Sequence, residues 1–254
     1  MSIITVDISN IDEEHICCAI SDKKGENCVG SKKTWMKERF KDGLVFKKLD
    51  ERGKVFIEYI PAEKAFVPII APKYMFINCF WVSGKYKGQG YGNKLLSECI
   101  KDAKNKKKNG IVVVSSKKKK PFLSDPSYLK YKGFKVCDEA KPYFELLYYP
   151  FKENSIVPKF KTCAKEGIIN KKGVVLYYTN QCPHTDKYVP IIEEVSQKNK
   201  IDFTSIKINT LKEAQMAPSP FTTYSLFING RFETNEILSE KKYLKIMREK
   251  EIMD

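Results

Sequence analysis

Val82-Ser83-Gly84-Lys85-Tyr86-Lys87-Gly88-Gln89-Gly90-Tyr91-Gly92 decides how this chain is read. The residues before it, Tyr74–Val82, are dense in aromatic and β-branched side chains and predict a strand. Those after it, Asn93–Ala103, carry Leu95, Leu96, Cys99 and Ile100 at helical spacing. Gly88, Gly90 and Gly92 let the backbone approach a ligand closely. Amides pointing one way from such a turn form an anion-binding nest, and the helix behind adds the positive end of its dipole. A pyrophosphate fits such a site, although glycine-rich strand–helix turns also occur without a ligand. Neither the GxGxxG nor the GxxxxGK[ST] phosphate motif is present.

Outward from this turn, residues 1–150 read as mixed α and β. Strands are expected at Ile3–Ile8, Gly43–Leu49, Lys54–Ile60, Gly110–Ser115 and Phe144–Tyr149, and helices at His15–Ile20, Ser31–Phe40 and Ser127–Tyr131. Residues 151–172, with Pro158, read as a linker. A second unit, 173–254, is expected to contain strands at Gly173–Tyr178, Phe203–Ile208 and Tyr224–Ile228, the last turning at Asn229-Gly230 into Phe232. Helices are expected there at Cys182–Gln197 and Lys241–Met247.

Composition bounds the function. The 254 residues allow one large domain or two modest ones. The N-terminus has no basic-then-apolar signal pattern, and the apolar run Tyr74–Val82 is too short to cross a membrane, so a cytoplasmic protein is expected. Eight scattered cysteines without a CxxC pair, and only His15 and His184 as histidines, argue against a metal site and for reduced thiols. The net charge of +15 attracts polyanions. Arginine, which supplies bidentate base contacts, is confined to Arg39, Arg52, Arg231 and Arg248, so nucleic acid is not the expected partner.

The glycine turn resembles the core motif of the GNAT superfamily of acetyltransferases, V-x-P-x-x-[RQ]-G-x-G-x-G. Val82, Gly88, Gly90 and Gly92 match, Lys87 stands where Arg or Gln is usual, and Gly84 replaces the proline. The resemblance implies an α/β acyl-CoA N-acyltransferase fold with a mixed, mostly antiparallel sheet. It also implies acetyl-CoA as co-substrate, direct transfer of the acetyl group to an amine, and no covalent enzyme intermediate. The coenzyme would be held by Phe80, Trp81, Val82, Lys87, Gly88, Gln89, Gly90, Tyr91, Gly92 and Asn93, with Cys79 on the same strand. A tyrosine near Gly133-Phe134, either Tyr128 or Tyr131, would protonate the leaving thiolate, and Glu58 is the candidate base. Lys117–Lys120 either meets the 3′-phosphate of the coenzyme or is a solvated loop.

The string Cys79–Gly88 is similar to a bacterial subgroup with a smaller C-terminal thioredoxin-like domain. In that second unit Tyr177–Thr185 resembles the thioredoxin redox position, with Cys182 at a helix N-terminus, where a thiol's pKa falls. Thr185 occupies the partner position, so an internal disulfide there is excluded, and Cys182 is either a monothiol redox site or part of a degenerate scaffold. His184 is expected on the helix surface. The alternative reading is a thiol-redox or binding protein whose first unit only senses acetyl-CoA.

Overall fold

A computed structural model describes residues 1–16 and 19–253. The elements in chain order are β1 (Ile3–Val6), α1 (Cys28–Phe40), β2 (Val45–Leu49), β3 (Val55–Pro61), β4 (Ile69–Ile70), β5 (Tyr74–Val82), α2 (Tyr91–Asn105), β6 (Gly110–Ser116), α3 (Pro126–Tyr131), β7 (Lys135–Ala140), β8 (Phe144–Pro150) and β9 (Lys159–Phe160). They continue with β10 (Val174–Tyr178), α4 (Pro183–Lys198), β11 (Phe203–Lys207), α5 (Leu211–Gln215), β12 (Tyr224–Ile228), β13 (Arg231–Thr234) and α6 (Glu240–Glu249).

Seven strands form one mixed sheet in the order β1-β2-β3-β5-β6-β8-β7. Every neighbouring pair is antiparallel except β5 and β6. The sheet is covered on both faces, so its central strands are near-continuous apolar runs whose alternate residues feed two cores. On β3, Phe56 and Ile60 join Met36 of α1 on one face. Val55, Ile57 and Tyr59 join Leu95, Leu96 and Cys99 of α2 on the other.

One departure from regularity shapes the site. β5 and β6 pair only over Tyr74–Phe76 and Gly110–Val112, although β5 continues to Val82 and β6 to Ser116. The two strands therefore part and leave a wedge in the sheet.

A second sheet has the order β11-β10-β12-β13, with β10 and β11 parallel and joined through α4, and β12 antiparallel to β10. Asn229 and Gly230 both take positive φ, +47° and +82°, as a two-residue type I′ hairpin requires. This sheet buries Val174, Leu176 and Leu226 against Val189, Ile192 and Tyr243 of α4 and α6.

Several expectations are corrected. His15, Ile16, Ala19 and Ile20 are not helical, and Cys17 and Cys18 lie outside the described residues. The stretch expected to link the two units still lies between the two sheets in the chain but is not bare: β9 pairs with β4, and Phe160 and Ala164 are buried. Strand β7 was not expected because Lys135–Ala140 is a largely exposed edge strand without an apolar period. Helix α5 was not expected either; it is five residues long and held by a capping box between Thr210 and Glu213.

The two sheets are tied together. Phe232 of β13 packs edge-on against Phe144 of β8, ring centroids 5.4 Å apart. The Tyr143 hydroxyl donates to Asn235 Oδ1 at 2.6 Å, and Asn235 Nδ2 donates to the Pro121 carbonyl at 2.9 Å. Thr222 Oγ1 donates to the Phe66 carbonyl, and Lys187 of α4 pairs with Glu26 at 2.6 Å.

Candidate functional site

The glycine turn leaves β5, makes a 3-10 turn over Gly84–Tyr86 and enters α2. Gly88 and Gly90 sit at φ +76° and +79°, and a Cβ added to either would meet nothing within 4 Å. These glycines are needed for their dihedrals, not for space. Gly90 is the N-cap of the 15-residue helix α2. The first-turn amides of that helix, at Tyr91, Gly92 and Asn93, have no intrahelical partner. Beneath the turn Tyr86 is buried and packs edge-on against Tyr91, centroids 6.0 Å apart. That packing fixes the turn on the sheet.

A cavity of about 690 Å³ runs from this turn along the end of β5 that has parted from β6. Phe80, Trp81, Val82, Lys87, Gly88, Gly90, Tyr91, Gly92 and Asn93 all line it. The Gln89 side chain does not; it turns back and donates to the Lys85 carbonyl at 2.5 Å. From the loop after β6, Lys119 and Lys120 line the cavity, whereas Lys117 pairs with Glu139 at 2.6 Å.

Helix α3 delivers Tyr128 to the same cavity. Asp125 caps the helix by accepting from the Ser127 and Tyr128 amides. The Tyr128 ring packs edge-on against Phe80 at 5.6 Å, and its hydroxyl donates to Asn93 Oδ1 at 3.1 Å. Burial raises the phenol's pKa, so it holds its proton at neutral pH. Tyr131, one turn later, is 81% exposed and lines neither cavity described here. The helix turns it to the outside while burying Leu129.

A second cavity, about 510 Å³, adjoins the first across Phe80, Trp81, Phe122 and Leu123. One wall comes from the seven-stranded sheet, the other from Cys182, His184 and Tyr188 of the α4 region and from Pro220 and Phe221. A bulge shapes the first wall. Glu58 faces Cys79 and Tyr59 faces Ile77, so Asn78 has no cross-strand partner. Asn78 Nδ2 donates to Glu58 Oε1 at 2.9 Å, while Asn78 Oδ1 is buried and accepts nothing from the described residues. Glu58 Oε2 pairs with Lys32 Nζ at 2.6 Å, and both side chains are almost free of solvent contact. The structure thus brings Glu58 to the cavity with both oxygens engaged.

The second unit contributes more than the sequence reading expected. Cys182 is the N-cap of α4, and Thr185 Oγ1 donates to the Cys182 and Thr179 carbonyls, each at 2.7 Å. His184 is half-buried in the cavity wall, not on an outer helix surface. Burial first, then Lys54 and Lys187, lowers its pKa, so the imidazole is neutral at pH 7. No local signal marks His184 in the sequence, because its environment comes from residues far away along the chain. Elsewhere Asp22, Glu26 and Cys28 come within metal-ligand reach of one another, but Asp22 accepts from the Val29 amide and Glu26 pairs with Lys187.

Comparison with known proteins bears on this geometry. A model of the acetyltransferase (GNAT) family matches residues 11–119, and a YoaP-like model matches residues 202–245. The chain is 45% identical over 247 residues to the uncharacterized N-acetyltransferase YoaP of Bacillus subtilis (strain 168), covering 97% of this chain and 98% of that one. Among solved structures it is similar to a GNAT family acetyltransferase from Brucella melitensis in complex with acetyl-CoA, at TM-score 0.39 and 15% identity over 63% of this chain and 92% of that one. It is also similar to the PaiA N-acetyltransferase of Thermoplasma acidophilum in complex with coenzyme A, at TM-score 0.39 and 18% identity over 59% of this chain and all of that one (100%). Family membership rests on the sequence relative, not on these low-scoring likenesses.

Proposed function

Because the chain belongs to the GNAT family of acetyltransferases, we propose that it is an N-acetyltransferase that moves the acetyl group of acetyl-CoA directly to an amine, with the coenzyme in the cavity below the glycine turn. The observation that carries this reading is the junction of two features. The turn Gly88–Gly92 ends in a helix N-terminus, and it opens onto the wedge where β5 leaves β6. The first suits a diphosphate, through amides and the helix dipole. The second leaves the wedge-side backbone of Phe80–Val82 open to a pantetheine arm and a thioester carbonyl.

The chemistry then divides among this chain's residues. The backbone of Phe80, Trp81 and Val82 aligns the thioester, and its N–H groups stabilise the oxyanion, a contribution of about 3–4 kcal/mol for one such donor. Lys87, Gly88, Gln89 (through its backbone), Gly90, Tyr91, Gly92 and Asn93 hold the diphosphate. Tyr128, protonated and beside Asn93 and Phe80, gives its proton to the departing thiolate. Tyr131 has no part in this scheme because its side chain faces solvent.

The division into units at residues 1–150, 151–172 and 173–254 belongs to the same proposal, with the last unit thioredoxin-like. The strand order β11-β10-β12-β13 and the parallel β10–α4–β11 crossover support that. Thr185 at the fourth position leaves no dithiol pair at the α4 N-cap, so in this reading Cys182 belongs to a degenerate scaffold, with monothiol redox chemistry as the alternative. The free thiols of Cys28, Cys99, Cys137 and Cys163 support a cytoplasmic location.

The test is coenzyme A release from acetyl-CoA with a panel of amines, beside calorimetric binding of acetyl-CoA. Tight binding with amine-dependent thiol release is expected; a chain that binds no acetyl-CoA would end the proposal.

A further inference from the structure

We infer that the second cavity is the acceptor site, that it takes a small primary amine with an apolar body, and that His184 of the C-terminal unit is the base that deprotonates that amine. This rests on the coenzyme placement proposed above and deepens it.

Position comes first. The 510 Å³ cavity shares Phe80 and Trp81 with the coenzyme cavity, so an acceptor in it meets the strand end that aligns the thioester. Its volume suits a small molecule.

The lining sets the class. Phe66, Phe76, Phe122, Phe221 and Ile237 supply apolar surface from both units. Both lysines that line it are matched by carboxylates, Lys32 by Glu58 and Lys242 by Glu236, so neither calls for an anionic ligand. Among the fully buried side-chain polar atoms of the described residues that line it, one is left over. Asn78 Oδ1, raised by the bulge in β5, is buried and accepts no hydrogen bond from the described residues. A buried acceptor of this kind calls for a donor, and an amine N–H supplies it.

The base follows by the same accounting. Glu58 has Lys32 on one oxygen and Asn78 on the other. His184 lines the same cavity from the opposite wall, at the start of α4, where the helix dipole also disfavours an imidazolium. The only other histidine, His15, lies against the Gly53 backbone, 3.0 Å from its carbonyl.

In balance, the ammonium arrives with three N–H protons and the amide leaves with one. His184 takes the first and passes it to solvent. The nitrogen lone pair forms the C–N bond, and the C–S bond breaks. The thiolate takes the Tyr128 proton, and the second nitrogen proton restores Tyr128.

The test uses the full chain with acetyl-CoA and four probes: phenethylamine, tryptamine, spermidine, and an eight-residue peptide with a free N-terminus. Thiol release with the two arylalkylamines, and little with spermidine or the peptide, is expected. His184→Gln should lower kcat/KM by about 100-fold or more while leaving the calorimetric Kd for acetyl-CoA unchanged. Should that variant not fold, the wild-type profile of kcat/KM between pH 5 and 8 decides: an acid limb is expected, and a flat profile overturns the base. Preference for spermidine or the peptide, silence with both arylalkylamines despite bound acetyl-CoA, or a His184→Gln variant within threefold of wild type also overturns the inference. Failure to bind acetyl-CoA at all strikes the coenzyme reading instead.

Discussion

Replacing Gly90 separates backbone strain from charge at the proposed diphosphate site. The residue sits at φ +79° and ψ 0° as the N-cap of α2, with open space where a Cβ would go. Gly90→Ala therefore introduces no clash, only the left-handed penalty of about 1–2 kcal/mol. In a chain of this size that lowers the melting temperature by about 2–8 °C. The same strain, if relieved by moving the turn, weakens acetyl-CoA binding by roughly 5–30-fold. Gly90→Glu adds the same strain plus a carboxylate at the mouth of the helix. At about 5 Å from one phosphate charge and an effective dielectric of about 20, repulsion is about 3 kcal/mol. The turn is exposed, so screening removes part of it, and roughly another 10–100-fold loss is expected. Calorimetry of both variants, beside their thermal unfolding, reads these quantities. If Gly90→Glu binds acetyl-CoA as tightly as Gly90→Ala, no phosphate lies at this turn and the reasoning fails.

Other perturbations address the remaining parts. Tyr128→Phe removes the hydroxyl bonded to Asn93 and should cut kcat by about 100-fold with little change in acetyl-CoA affinity, as stopped-flow thiol release would report. Lys32→Met strands the Glu58 carboxylate in the interior and should cost about 3–5 kcal/mol in urea unfolding, while Lys32→Met with Glu58→Met should recover most of it. His184, facing Lys54 from the first unit and Lys187 and Tyr188 on its own helix, should titrate by NMR below the ordinary imidazole range. Its folded pKa is lowered, so its contribution to stability is present above about pH 6.5 and is lost as pH falls toward the folded value.

What the sequence disclosed follows from how local each signal is. β5 and β12 keep their expected limits because both are dense in β-branched and aromatic residues and end at glycine turns. Helix α2 begins at Tyr91, earlier than its apolar stripe suggests, because Gly90 is the cap. The proposed coenzyme side of the site is the more legible in sequence because one continuous segment, residues 80–93, supplies much of its lining. The other side is less so. His184, Phe122 and Phe221 come together only when the second sheet closes against the first, and the bulge that singles out Asn78 is a matter of register between β3 and β5. The edge strand β7 carries no apolar period, since three of its six residues are exposed and only Ala140 is fully buried.

The most direct measurement is a crystal structure of the full chain with acetyl-CoA. Diphosphate oxygens within about 3 Å of the Gly88–Asn93 amides, with the acetyl carbonyl beside Trp81, are the predicted result. A diphosphate held by lysine side chains elsewhere, with the turn untouched, would contradict the account.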